Sequence, residues 1–299
     1  MVVRIGTRGS MLAMAQATAV KSAMVARFPE LSFRVLSIKT SGDIHVDVPL
    51  HDIGGKGLFI KEIEQALLDN IIDIAVHSAK DVPGFYSEDL DIPCVLPRGS
   101  VRDVFVSCKY RDLNSLPVHA KVGTSSVRRK VQLLAMRSDL EVLPIRGNID
   151  TRMSKMQEGE CDGIILAEAG LDRIFRRDVI REVLSPDVML GAVGQGAICL
   201  QCRKYDKSMV SVLQRLNCHK SYTTVLAERS FLKAIDGTCS TPLAAMARYI
   251  STDMLIMKCM LATEAGDMVF TERVFEEENA EKVGYEMGAV LKNELYLRG

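Results

Sequence analysis

The chain opens on a short run rich in β-branched residues, "VVRIG", then carries apolar residues at helical spacing from Ser10 to Phe28, then alternates as a strand through "LSFRVLSIK". Strand, helix, strand in that order demands a crossover, because two parallel neighbours cannot be joined by a tight turn. The alternation continues with the helical "LFIKEIEQALLDN", the buried strand "IDIAVHS" and the strand "LDIPCVL". Near Arg98 it starts again: "DVFVSC" and "AKVG" as strands, a helix from Ser125 to Arg137, "EVLPI" as a strand, a helix from Asp150 to Gln157, and "DGIILA" as a strand. Two such blocks predict two α/β lobes. The run "VMLGAVGQGAICLQCR" (Val188 to Arg203) has strand character and Lys207 to Leu216 has helical spacing, so a chain returning here to the first lobe would cross between the lobes twice.

From Ser221 the pattern changes to a helix, "YTTVLAERSFLKAI", three alternating runs, "AAMARYI", "MLIMKCML" and "MVFTERVF", and a closing helix from Glu277 to Leu295. This predicts a small α+β unit with a three-stranded antiparallel sheet. Between its first helix and first strand stands "GTCSTP" (Gly237 to Pro242). Buried cysteines usually sit in apolar runs, whereas Cys239 lies among turn-forming residues, which exposes it.

Thirty-eight Lys plus Arg balance thirty-eight Asp plus Glu, so no global field draws the chain to nucleic acid or an anionic membrane. Any anion site must come from local clustering. "MVVRIGTRGS" has neither the basic nor the apolar region of a secretory signal, and no window approaches a membrane span. The expected location is the cytoplasm, where eight cysteines read as reduced thiols.

In open α/β sheets ligands sit beyond the carboxyl ends of the strands, where helix amino termini offer free N–H groups. Four junctions of that kind carry cations: "TRGS" with Arg8 and Ser10; "TSSVRRK" with Thr124, Ser125, Ser126, Arg128 and Arg129; "RGNIDTR" with Arg146, Asn148 and Arg152; and "EAGLDR" with Arg173. Cations in the first turn of a helix oppose its dipole. A bound polyanion would compensate, and Arg suits a bidentate grip on carboxylates. A fifth junction, "VHSAKDVP", packs Ser78, Lys80 and Asp81 into four residues; it reads either as a surface ion pair or as a tuned acid–base group.

"GGKG" (Gly54 to Gly57) lacks the P-loop spacing and reads as a glycine loop carrying Lys56, and "GAVGQG" is a poor dinucleotide fingerprint. "CLQC" (Cys199, Cys202), with Cys218 and His219 downstream, lacks the second pair of a metal site and reads as core. No metal is expected.

Taken in order, "TRGS", "GGKGLF", "HSAKDVP", "GTSSVRR", "RGNIDTR", "AVGQGA" and the cysteine loop resemble the porphobilinogen deaminases, the hydroxymethylbilane synthase family, from about Arg4 to the carboxyl terminus. The resemblance implies a transferase that deaminates four porphobilinogens and joins them into a linear tetrapyrrole. It implies a dipyrromethane cofactor attached by a thioether to Cys239, and Asp81 as the catalytic carboxylate. Ser78, Lys80, Thr124, Ser126, Arg128, Arg129, Arg146 and Asn148 would hold the cofactor with Asp81; Arg8, Ser10, Lys56, Arg152, Arg173 and Gln195 would hold substrate. Six rings bring up to twelve carboxylates into one cleft, which accounts for the arginines. The implied fold is α/β: two doubly wound lobes resembling type II solute-binding proteins plus a small C-terminal α+β domain. Its boundaries are 1–96 completed by 191–216, then 97–190, then 217–299. A monomer is expected, with porphobilinogen as the small-molecule partner and neither nucleic acid nor membrane.

Three residues depart from the family pattern: Thr238 before the cysteine, Asp52 before the glycine loop, and Glu168, a carboxylate inside an otherwise anion-binding junction. The main rival from another class is a two-lobed solute-binding protein, opposed by the missing signal and by the third domain. A nucleic-acid binder, suggested by "RRK" at Arg128 to Lys130, is opposed by zero net charge and few aromatics.

Overall fold

The computed structural model describes residues 2–44, 59–237, 241–263 and 265–298. The first lobe contains β1 (Val2–Arg8), α1 (Met11–Arg27), β2 (Ser32–Ile38), the short α2 (Ser41–Ile44), α3 (Lys61–Leu68), β3 (Ile74–Ser78) and β4 (Leu90–Val95). The second contains β5 (Asp103–Val106), β6 (Lys121–Gly123), α4 (Val127–Met136), β7 (Glu141–Leu143), α5 (Ile149–Gln157), β8 (Gly163–Ala167), α6 (Glu168–Arg173) and β9 (Ile180–Val183). The chain then runs through β10 (Ile198–Arg203), α7 (Lys207–Gln214), α8 (His219–Ile235), β11 (Leu243–Tyr249), β12 (Met254–Ala262), β13 (Met268–Glu276) and α9 (Ala280–Arg298).

Three sheets result, in the orders β2-β1-β3-β10-β4, β7-β6-β8-β5-β9 and β11-β12-β13. In the first, β1 lies parallel to β2 and β3, while β10 is antiparallel to both β3 and β4. In the second, β6 lies parallel to β7 and β8, and β5 is antiparallel to β8 and β9. The antiparallel strand of each lobe is therefore the one that has just arrived from the other, and the two crossings bring together segments far apart in the sequence. They run side by side: Gly99 N–H donates to Gly196 O at 3.0 Å and Leu96 N–H to Ile198 O at 3.0 Å. Gly196 has φ +83°, and a Cβ there would lie 2.4 Å from Ser100 O. Only glycine fits so close an approach of two backbones.

Each α/β sheet is covered by apolar side chains on both faces, as parallel strands require. Val3, Ile5, Ile74, Val76 and Leu200 pack with Val20 and Met24 of α1 and Met209 and Leu213 of α7. In the second lobe Phe105, Val122 and Ile165 pack with Leu133 of α4 on one face, and Val104, Ile164 and Leu166 with Met153 of α5 on the other. The third sheet lays Ala245, Met257, Cys259 and Val269 on Phe231 of α8 and Met287 of α9. Its other face sends Ala244 and Met260 against Val131 and Leu190 of the second lobe.

Three features differ from the sequence reading. The strand-like run from Val188 is strand only from Ile198; before that, "GAVGQG" forms turns with positive φ at Gly194 and Gly196, so its apolar residues line a crossing instead of a ladder. The edge strand β9 was not expected, because its charged, half-exposed "IREV" shows no buried face. Glu277–Asn279 is a single 3₁₀ turn, and the last helix begins at Ala280.

Candidate active site

The cation-bearing junctions gather where the carboxyl ends of the two α/β sheets meet. Arg8 ends β1 and Ser78 ends β3, and Lys80 and Asp81 follow on a single 3₁₀ turn (Ala79–Asp81). From the second lobe come Thr124, Ser126, Arg128 and Arg129 at the start of α4, and Arg146, Asn148 and Arg152 around the start of α5. The charges converge. Lys80, half-buried, is brought down to about 8, first by burial and then by Arg129, with Asp81 and Asp103 opposing. Arg152 is brought down to about 10 by burial and by the like charges of Arg129, Arg146 and Arg8, again with Asp81 opposing. Burial is the larger cause in both, and the like charges that add to it show that these cations lie near one another.

Part of this cation set is neutralised from within. Asp103, at the start of β5 and fully buried, accepts from Nη2 of Arg129 at 2.8 Å and from Nη2 of Arg128 at 2.8 Å. Burial would raise its pKa, but the two guanidiniums hold it well below the carboxylate range. Arg128 also donates to Leu190 O, and Arg129 to Ile165 O at 2.8 Å. Both guanidiniums are thus bound to Asp103 and to carbonyls, and among the described residues Nε of Arg129 is a buried donor without a partner.

The hydroxyl and amide residues have local tasks. Ser10 caps α1, Ser126 caps α4 and Asn148 caps α5, each accepting from an N–H three residues on. Thr124 accepts from Ser126 N–H at 3.2 Å, and Ser78 exchanges hydrogen bonds with the buried Gln16 at 2.9 and 3.2 Å. Arg173 reaches the crossing and donates to Gly196 O. Gln195 lies on the same crossing, fully enclosed, with Nε2 bonded to Val101 O at 2.7 Å and to Asp103 at 3.0 Å, and with Oε1 unpartnered among the described residues. Nη1 of Arg146 is likewise buried and unpartnered. Among the described residues Lys80 and Asp81 have no hydrogen bond or ion pair. Lys56 and Cys239 lie outside the described residues, as do Asp52 and Thr238.

Glu168, the carboxylate that departs from the family pattern, pairs with Arg102 at 2.8 Å and Arg177 at 3.0 Å and accepts from Ser100. Cys199 and Cys202 are buried in β10, and no three His, Cys, Asp or Glu side chains gather as metal ligands among the described residues. A separate concavity of about 410 Å³, lined by Asp91, His219, Tyr222 and Glu277 among others, shares no residue with the cleft.

Residues 3–211 match the family model for the porphobilinogen deaminase dipyromethane cofactor binding domain, and residues 222–293 match the porphobilinogen deaminase C-terminal domain. The chain belongs to the porphobilinogen deaminase family. It is 58% identical over 294 residues to the porphobilinogen deaminase of Ehrlichia canis and 59% identical over 293 residues to that of Ehrlichia chaffeensis, covering 98% of both chains in each case. It is 53% identical to the Wolbachia enzyme over 293 residues, 98% of this chain and 99% of that one. Among solved structures it is similar to the periplasmic VFT2 domain of Bordetella pertussis BvgS, with 13% identity, a TM-score of 0.42, and 72% of this chain and 86% of that chain covered. That likeness is too distant to carry weight, and the sheet orders describe the fold by themselves. No helix among the described residues is long and apolar enough to cross a membrane.

Four polar residues in or around this candidate site escaped the sequence reading. Asp103 hides in "RDVFV", Gln16 in a helix of small residues, Asp43 in "SGDI", and Glu228 in the amphipathic "LAERS". Each is a polar residue buried or half-buried in its element, a signal that appears only once neighbouring elements are known.

Proposed function

We propose that the chain deaminates four porphobilinogens and joins them head to tail into the linear tetrapyrrole hydroxymethylbilane on a dipyrromethane primer carried by Cys239. The carrying observation is the set of open hydrogen-bonding atoms beside the cation cluster: among the described residues Arg129 Nε and Arg146 Nη1 lack acceptors, and Gln195 Oε1 lacks a donor. Buried polar atoms are seldom left so. A dipyrromethane offers what they lack, carboxylates for the arginines and pyrrole N–H groups for the amide oxygen, so the residues fit the group.

When bound, the primer supplies the terminal pyrrole ring to which each new ring is joined. The protein's part is grip and charge. Lys80, Arg146 and Arg152 hold acetate and propionate groups, with Ser78, Thr124, Ser126 and Asn148 orienting the junctions and Arg8, Ser10, Lys56, Arg173 and Gln195 receiving the next substrate. Asp81, unpaired beside Lys80, accepts from pyrrole N–H and stabilises the positive charge that develops as ammonia departs, a use of preset electrostatics. Arg128 and Arg129 act through Asp103, which keeps the second guanidinium aimed into the cleft.

Three domains follow from this reading, 1–96 with 191–216, 97–190 and 217–299, acting as a monomer in the cytoplasm. Intact mass tests the attachment: the protein should exceed its sequence mass by two pyrrole units, and Cys239→Ala should match its own sequence. An increment retained in Cys239→Ala would place the attachment elsewhere.

A further inference from the structure

Arg8 ends β1 at the cleft, and its guanidinium is already engaged. Nε lies 3.2 and 3.4 Å from the two carboxylate oxygens of Asp43, and Nη2 also bonds Oδ1. The guanidinium rests on the Phe59 ring, its carbon 4.3 Å from the centroid. A planar fork facing a carboxylate is the geometry by which a bound acetate or propionate would be held. Asp43 is steadied for this position by Thr40, whose hydroxyl donates to Oδ2 at 2.8 Å and whose N–H reaches it at 3.4 Å.

Stability does not explain the pair. The carboxylates of the structural pairs Asp103–Arg129 and Glu228–Arg98 are sealed at 0% exposure, whereas the side chains of Arg8 and Asp43 keep 24% and 25%. Pairs that retain solvent contribute little to folding, and a ligand can reach this one without opening the core. Arg8 is also one of the like charges felt by Arg152, so it belongs to the cleft's cation cluster.

We propose that Asp43 holds the place of a substrate carboxylate on Arg8, so that each carboxylate landing there does so by exchange with Asp43. This rests on the reading of Arg8 as a substrate-binding residue. Exchange replaces one guanidinium–carboxylate contact by another, so the net gain is small. A growing polyanionic chain then finds no deep well at Arg8 and can move on after each addition. Asp43 thereby sets affinity without touching the reacting atoms.

The test uses steady-state kinetics on cofactor-loaded protein carrying Asp43→Asn, a nearly isosteric change that can keep the Thr40 contact, beside Arg8→Leu. Asp43→Asn should lower KM for porphobilinogen about 3- to 10-fold, the effect of removing a partly exposed competing charge. It should lower the inhibition constant of glutarate, a dicarboxylate without a pyrrole, by a similar factor, with no rise in kcat and an unchanged thermal midpoint. Asp43→Glu should return both constants toward the parent. If Asp43→Asn leaves or raises both constants while Arg8→Leu raises KM, Asp43 only orients Arg8 and the proposal fails. If Arg8→Leu itself leaves KM unchanged, Arg8 is no substrate site and the underlying reading fails with it.

Discussion

Oδ1 of Asp103 lies 2.8 Å from Nη2 of Arg129, and neither side chain is more than 7% exposed. The second oxygen of the same carboxylate holds Arg128 at 2.8 Å, so one anion on the incoming strand β5 anchors two cations at the start of α4. Removing one partner from a buried pair leaves an uncompensated charge, a loss of about 3 to 5 kcal/mol. Arg128→Leu and Arg129→Leu should therefore each lose stability in urea unfolding, and Asp103→Leu should lose more, because it strands two guanidiniums. The two arginines differ in a second readout. Arg129 is the charge that most lowers both Lys80 and Arg152, whereas Arg128 is a smaller influence on Lys80. Cofactor loading should fall further in Arg129→Leu than in Arg128→Leu; equal loading would remove Arg129 from the cleft.

Glu228 ties the third sheet to the crossings. Fully buried in α8, it accepts from both Nη atoms of Arg98 at 2.7 and 2.9 Å, from Gly194 N–H at 2.7 Å and from Ala247 N–H at 2.8 Å. Four donors on one carboxylate join the outgoing crossing, the return crossing and β11. Glu228→Gln keeps the shape but leaves Arg98 unpaired, and about 3 kcal/mol of stability should go with it. Unfolding within about 0.5 kcal/mol of the parent, the range of a neutral surface change, would show that the charge is dispensable.

The lobes, the strand–helix order and the cation-bearing junctions were legible because each rests on local periodicity or on a short motif. "IDIAVHSAKDVP" carries a buried strand and its functional exit within twelve residues. What was not legible is long-range: Asp103 meets Arg128 across 25 residues, and Glu228 meets Arg98 across 130. A carboxylate in a strand and one on a helix look like ordinary surface residues until the partner elements are placed. The Asp103 carboxylate that Arg128 and Arg129 share was hidden for the same reason. Strand β9 escaped for a different reason, since an edge strand with "IREV" buries no continuous face.

His77 makes a pH prediction with a defined sign. Burial brings it down to about 4, against the hydrogen bond its Nε2–H donates to Gln201 Oε1 at 3.1 Å and the charge of Asp81, with Arg229 and Arg8 adding to the lowering. The unfolded chain binds a proton near pH 6.5 and the folded one only near 4, so between those values the unfolded state holds more protons and stability falls as pH falls. The group's share of that loss is roughly 3 kcal/mol by pH 4. Urea midpoints measured from pH 7 to pH 4 should show a slope that flattens in His77→Gln; an identical slope would assign the acid sensitivity to other groups.

Lys80 makes the complementary prediction for binding. Its ammonium, held near 8, loses its proton between pH 7 and pH 9, and the grip on a carboxylate weakens as it does. A bound anion raises that pKa, so affinity should be flat below pH 7 and decline above 8. KM for porphobilinogen should rise across this range in the parent, and the rise should shrink in Lys80→Arg, whose guanidinium stays charged. An unchanged profile in Lys80→Arg would assign the titration to the substrate or to another residue.

Asp81 stands on the 3₁₀ turn after β3, and the turn's exit is clamped from α8: Arg229 donates to Val82 O at 3.1 Å and to Pro83 O at 2.9 Å. The carboxylate is thus held by backbone anchoring, with no side-chain partner among the described residues that would compete with a ligand. Asp81→Asn is nearly isosteric, so the fold and the bound cofactor should persist. An amide, however, cannot stabilise a developing pyrrole cation or exchange a proton. Acid–base and electrostatic contributions of this kind are worth about 100- to 10,000-fold each, and the loss should appear in kcat with KM little changed. Single-turnover ring addition on cofactor-loaded protein is the measurement. A rate within about threefold of the parent, far short of that contribution, would show that Asp81 is not the catalytic group and leave the chemistry to another group in the cleft.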